Sequence, residues 1–144
     1  MLENNPIFGQ QKILNHLDKI VNWLRGKDET LITVEFDMTN KCNARCPGCA
    51  GGRSNESSLT LDEAKNYVDK LAELGVKGIM FTGGGEPTLH EGLKNFIKKV
   101  KEIGYCVKLD TNGTSPEMVK KLIDENLIDY IAMDVKAPLK NYSE

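Results

Sequence analysis

Cys42, Cys46 and Cys49 share one short loop, Cys42-Asn43-Ala44-Arg45-Cys46-Pro47-Gly48-Cys49, while Cys106 stands alone. This C-x3-C-x2-C run gathers three thiols, and Pro47 with Gly48 turns the chain between the last two. Soft thiolate donors at this spacing suit an iron–sulfur cluster. Three protein ligands would leave one iron with an open coordination position, able to take a substrate or cofactor. Two other readings stay open: a zinc site completed by His90, although zinc loops usually use paired C-x2-C ligands, and three thiols with no shared role. A second segment that could do chemistry is Gly83-Gly84-Gly85-Glu86-Pro87. A glycine run lets the backbone approach a ligand closely and present unpaired polar groups, and it equally serves a plain strand-to-helix turn. Asp110, Thr111, Asn112 and Gly113 form a third such segment, and Asp134, Val135 and Lys136 a fourth.

The elements that must carry these residues follow from periodicity. Ile13, Leu14, Leu17, Ile20, Val21 and Leu24 recur at helical spacing and Gly26 is a natural stop, so residues 1–30 read as an N-terminal amphipathic helix that packs on the rest. His16 lies on its polar flank, where a lone histidine is solvated or capping. From Leu31 short β-rich runs alternate with longer helical ones, which predicts a parallel sheet of βα units over residues 31–144. The strands are predicted at Leu31–Asp37, Val76–Thr82, Tyr105–Leu109 and Tyr130–Val135. The first helix runs from Leu61 to Leu74 behind a capping box of Thr60 and Glu63. The second carries Leu93, Phe96, Ile97, Val100 and Ile103 and stops at Gly104, with Lys98, Lys99 and Lys101 on its wet face. The third starts at Ser115 and Pro116. Each candidate segment therefore falls at the C-terminal end of a strand, the face on which (β/α) barrels build their sites. Cys106 is predicted within the third strand, away from that rim.

Composition narrows the classes. With 40% hydrophobic and 28% charged residues in 144, the chain is expected to fold around one core. Nineteen Lys and Arg against twenty-one Asp and Glu leave a formal charge of −2, which gives no electrostatic reason to expect a nucleic acid or an anionic membrane. No apolar stretch is long enough to span a bilayer, and Met1 to Gln10 lacks the pattern of a signal peptide. The expected location is the cytoplasm, where clustered cysteines are metal ligands or free thiols more often than disulfides.

The cysteine loop after a first strand, followed by Gly84-Gly85-Glu86-Pro87 after a second, resembles the radical S-adenosylmethionine superfamily. Lys108-Leu109-Asp110-Thr111-Asn112-Gly113-Thr114 and Asp129 to Pro138 resemble the activating enzymes of glycyl radical proteins, among them the anaerobic ribonucleotide reductase and pyruvate formate-lyase activating types. Thr39-Asn40-Lys41 and Gly51-Gly52-Arg53, which flank the cysteines, look more like members that modify peptides. The resemblance implies a [4Fe-4S] cluster on Cys42, Cys46 and Cys49 whose open iron chelates S-adenosylmethionine. It implies reductive cleavage to a 5′-deoxyadenosyl radical that abstracts hydrogen, for instance from a glycine of a partner enzyme or from a peptide, with a reductant such as flavodoxin or ferredoxin.

By the same resemblance Gly83, Gly84, Gly85, Thr111, Asn112, Asp134 and Lys136 would bind the cofactor, with Glu86 as an orienting residue. Asp110 and Asp134 would hold a monovalent cation beside it, and Lys136 could neutralise its carboxylate or be a surface lysine. The superfamily usually has an aromatic residue before the third cysteine, near the adenine; Gly48 leaves any such contact to its backbone or to residues elsewhere. At about 30 residues per unit, the part after Thr30 holds about four units where the superfamily builds six.

The expected fold is thus an open, partial (β/α) barrel, and its function radical chemistry on S-adenosylmethionine; the alternative is a truncated, non-catalytic module holding an iron–sulfur cluster or zinc. A Gly84→Val change is expected to block the cofactor without removing iron. The open edge of the fourth strand is expected to drive self-association, or to pair with a second chain that completes the barrel. In a monomer the N-terminal helix would be the candidate cover.

Overall fold

Short β-branched and aromatic runs, each followed by an amphipathic helix, assemble into a repeat of βα units. The computed structural model describes residues 6–9, 12–27, 31–44, 46, 49 and 57–135. Its strands are β1 (Thr33–Phe36), β2 (Gly78–Phe81), β3 (Cys106–Thr111) and β4 (Tyr130–Met133), all parallel and in the spatial order β1-β2-β3-β4. The helices α1 (Leu17–Leu24), α2 (Leu61–Glu73), α3 (Leu93–Ile103) and α4 (Pro116–Asp124) are joined by short 3-10 turns at Lys12–His16 and Pro87–Leu89. This is an α/β fold, a partial (β/α) barrel of four parallel units. No helix among the described residues is long and apolar enough to cross a membrane.

The strands differ from expectation mainly at their ends. Asp110 and Thr111, read from sequence as loop, continue β3 because they stay in register with Ala132 and Met133 of β4. The other three strands are shorter than expected, since β1 and β2 pair only between Thr33 and Phe36 and between Gly78 and Phe81.

Alternation places Val34, Phe36, Ile79, Phe81, Val107, Leu109 and Ile131 on the face that α2, α3 and α4 cover. There Phe36, Phe81 and Phe96 form an aromatic layer with centroid separations of 5.5 to 6.2 Å. Because Phe36 and Phe81 sit one residue before the rim, this layer anchors the ends of β1 and β2 that carry the site. Gly104 ends α3 in the left-handed region at φ 101°, as a glycine stop should. Ser115 stands before α4 but makes no side-chain cap, so Pro116 alone marks that start.

The capping box at α2 is present. Thr60 Oγ1 accepts from Glu63 N at 3.2 Å, and the Glu63 carboxylate accepts from Thr60 N at 2.9 Å. The Thr60 backbone hydrogen bond, and then its hydroxyl, hold the Glu63 carboxyl below its ordinary range. Thr60→Ala should cost about 1 kcal/mol, read from the urea midpoint near neutral pH. Because the folded-state pKa of Glu63 is depressed, its contribution is present above the unfolded value and is lost as pH falls through the folded one. The variant keeps the backbone bond to the carboxylate and loses both the hydroxyl's bond to it and the pH-independent bond from Glu63 N. The gap between the two proteins should therefore narrow on acidification without closing; a constant gap would sink this account.

The N-terminal segment departs most from expectation. Ile7 and Phe8 pack so tightly against Gly78 that a Cβ there would lie 2.8 Å from the Phe8 ring. Lys12 Nζ donates to Thr33 Oγ1 at 3.0 Å, and Lys19 Nζ to the Gly75 carbonyl at 3.1 Å. The segment thus sits at the N-terminal ends of the strands and not over β4. Lys19 is the buried residue of α1, drawn in by the carbonyl of the turn that ends α2, while Leu17, Val21 and Leu24 stay exposed. His16, expected to be solvated or capping, encloses Nε2, which has no hydrogen-bond partner among the described residues.

Candidate active site

The cysteine-bearing excursion leaves β1 and returns through a small lock. Asn40 N donates to Ser57 O and Leu59 N to Met38 O, each at 2.9 Å, and the hydroxyls of Thr39 and Ser58 meet at 2.7 Å. Met38 is 1% exposed, so the stem is rooted in the core.

The Gly83 to Gly85 turn after β2 lies directly against that stem. A Cβ on Gly83, whose φ is 97°, would collide with the Asp37 carboxylate; one on Gly84 would meet Asn40 Oδ1, and one on Gly85 the Lys41 carbonyl oxygen. Glu86 N donates to that same carbonyl at 2.8 Å. These glycines therefore let the second rim segment seat on the first. In Gly84→Val the Asn40 side chain must move aside before the new side chain can be seated.

Glu86 joins this turn to the end of β3. Its carboxylate, 2% exposed, accepts from Thr88 N at 3.2 Å, Thr88 Oγ1 at 2.6 Å, Thr111 Oγ1 at 2.6 Å and Asn112 N at 2.7 Å. Asn112, readable from sequence as a turn residue alone, also donates through Nδ2 to Asn43 Oδ1 at 3.0 Å, and Asn43 Nδ2 donates to Thr114 Oγ1 at 2.8 Å. Asn43 was not singled out by sequence. Its position between two metal-ligand candidates is the signal that could have found it.

These contacts close a rim around one cavity of about 240 Å³. Cys42, Cys46 and Cys49 line it together with Thr82, Gly83, Gly84, Gly85, Glu86, Asp110, Thr111, Asn112 and Asp134. Segments from the ends of all four strands thus meet in one place. Gly48 and Lys136 lie outside the described residues. Asp110, expected beside a monovalent cation, has Lys108 Nζ 2.9 Å from its carboxylate.

The donor chemistry separates the metal readings. His90 cannot complete a zinc site, because both ring nitrogens are engaged. Nδ1 accepts from Gly92 N at 3.0 Å, so Nε2 carries the proton and donates to Leu59 O at 2.9 Å. Among the described residues no three His, Cys, Asp or Glu side chains converge on a point where one ion could sit. A cluster asks for something else, since it spreads its thiolate ligands over separate irons. Three thiols outside any disulfide, lining one cavity, fit that demand. Cys106 begins β3 at the opposite end of the strand from the rim, and burial, followed by the Asp129 charge, pushes its thiol pKa up. A thiol so placed stays protonated and is a poor ligand.

Residues 36–144 match the family model described as the Radical SAM superfamily. A candidate glycyl-radical enzyme activating enzyme of Methanocaldococcus jannaschii is 37% identical over 107 residues, which are 72% of this chain and 43% of that protein. The PqqA peptide cyclase of Bradyrhizobium diazoefficiens is 32% identical over 101 residues, 67% of this chain and 26% of that one. Among solved structures, BtrN in complex with AdoMet and 2-DOIA shares the fold, with a TM-score of 0.65 at 22% identity over 75% of this chain and 47% of that chain. The chain spans less than half the length of each of these relatives.

Proposed function

Because this chain belongs to the radical SAM superfamily, we propose that its rim holds a [4Fe-4S] cluster on Cys42, Cys46 and Cys49 with S-adenosylmethionine beside it. The observation that carries this reading is the shared cavity, in which three thiols from the β1 loop face the glycine turn after β2 and the polar ends of β3 and β4. When bound, such a pair supplies one-electron reductive cleavage of a sulfonium and, from it, a carbon-centred radical able to remove a hydrogen atom. The protein's own contribution is orientation and charge. The Gly83 to Gly85 turn brings backbone polar groups to the cavity wall, Glu86 holds that turn against Thr111 and Asn112, and Asp110 and Asp134 bring carboxylates to the same wall. Lys136 is assigned to the cofactor carboxylate and Gly48 to a backbone contact with the adenine.

We assign the substrate to a glycine of a partner protein or to a peptide, with flavodoxin or ferredoxin as electron donor. The relatives named above, a candidate activating enzyme and a peptide cyclase, support these two classes. β1 and β4 each pair on one side among the described residues, and Ile123, Met133 and Val135 are exposed near the β4 edge. We therefore expect self-association or pairing with a chain that supplies further strands; a monomer by sedimentation at micromolar concentrations, with protected β4 amides, would remove that expectation.

The deciding experiment is anaerobic reconstitution with iron and sulfide, reduction by dithionite, and assay of S-adenosylmethionine conversion to methionine and 5′-deoxyadenosine. Turnover is expected. If no 5′-deoxyadenosine forms and the cofactor leaves the electron paramagnetic resonance signal of the reduced cluster unchanged, the chain is a non-catalytic iron–sulfur module.

A further inference from the structure

On the open face of the sheet, strand register places Glu35, Met80, Lys108 and Tyr130 in one row, and Asp110 lies one step further along β3 on the same side. Lys108 Nζ is 2.9 Å from Asp110 Oδ1, donates to Oδ2 at 3.2 Å, and sits 5.9 Å from the centre of the Tyr130 ring. Asp110 Oδ1 is enclosed, and the lysine ammonium beside it offsets its charge. With side chains only 19% and 28% exposed, the pair is screened less than a surface pair would be. The two residues are i and i+2 on a strand, so the strand itself sets their approach, and the Tyr130 ring gives the ammonium a third support.

We propose that Lys108 is a built-in cation for this cavity: its ammonium takes the place beside Asp110, a carboxylate that lines the cavity, that a monovalent metal ion would otherwise occupy. A metal ion entering next to Asp110 would instead meet the like charge of Lys108 at close range. Lys108 does not itself line the cavity; it acts through Asp110 and is a positioning residue. The inference deepens the functional reading above but depends on it only for the identity of what the cavity binds.

The test uses the anaerobically reconstituted full chain and compares potassium chloride with choline chloride at equal ionic strength, choline being too large for such a site. Thermal unfolding is the readout, with the electron paramagnetic resonance signal of the reduced cluster followed alongside. The wild type is expected to unfold at the same temperature in both salts. Lys108→Met should unfold about 4 °C lower in choline chloride and recover with potassium, while Lys108→Arg, which restores the charge, should match the wild type.

Potassium stabilisation of the wild type that disappears in Asp110→Asn would overturn the proposal without needing any Lys108 variant to fold. So would a folded Lys108→Met protein indifferent to potassium. Neither readout requires S-adenosylmethionine turnover, so a failure here is distinct from a failure of the radical reading.

Discussion

Replacing Cys42, Cys46 or Cys49 by alanine should each abolish stable iron loading, whereas Cys106→Ala should load like the wild type. The expected loss is from about four irons per chain to less than one, since a cubane cluster already short of one protein ligand is not held by two. The contrast rests on position. The first three thiols border the cavity, while Cys106 begins β3 with its thiol held protonated by burial. Iron and sulfide content after anaerobic reconstitution, with the visible absorption of the cluster, reads all four variants. Full loading in Cys46→Ala, or loss in Cys106→Ala accompanied by native unfolding behaviour, would reverse the assignment.

Glu86→Ala should cost about 3–5 kcal/mol of stability in the protein without cofactor, because it strands several buried donors at once. Thr111 and Asn112 are 3% and 5% exposed, so water cannot readily replace the carboxylate that accepts from both. Glu86→Gln is the sharper probe. Its amide oxygen can still accept from Thr88 and Thr111, but its NH2 then faces the Asn112 N–H, donor against donor, at a cost of about 1–3 kcal/mol. Urea unfolding of the three proteins should rank them wild type, Gln, Ala. A residue whose task was only to touch a bound cofactor would leave these midpoints unmoved, and that result would remove Glu86 from the role of clamp between β2 and β3.

The order and type of the elements, the capping box at Thr60, the stop at Gly104 and the grouping of Cys42, Cys46 and Cys49 were all legible in the sequence. Each is local: a hydrophobic period, a capping box four residues long or a loop spacing is carried by neighbours along the chain and survives whatever the rest does. Because parallel βα units place every strand's C-terminal end on one side, the convergence of four chemically marked segments on one rim was legible too. Tertiary structure decided what those segments do to one another. Glu86 reaches residues 25 and 26 positions away, and Asn43 one 69 away. Their partners follow from strand register and side-chain rotamer, which no local pattern encodes. The same holds for the glycine turn, whose missing Cβ atoms make room for Asp37, Asn40 and Lys41, and for Lys108, paired with Asp110 because both point to the open face of β3. It holds for α1 as well: its apolar period implied a buried stripe, yet the residue it buries is Lys19, whose ammonium donates to the Gly75 carbonyl of the turn after α2.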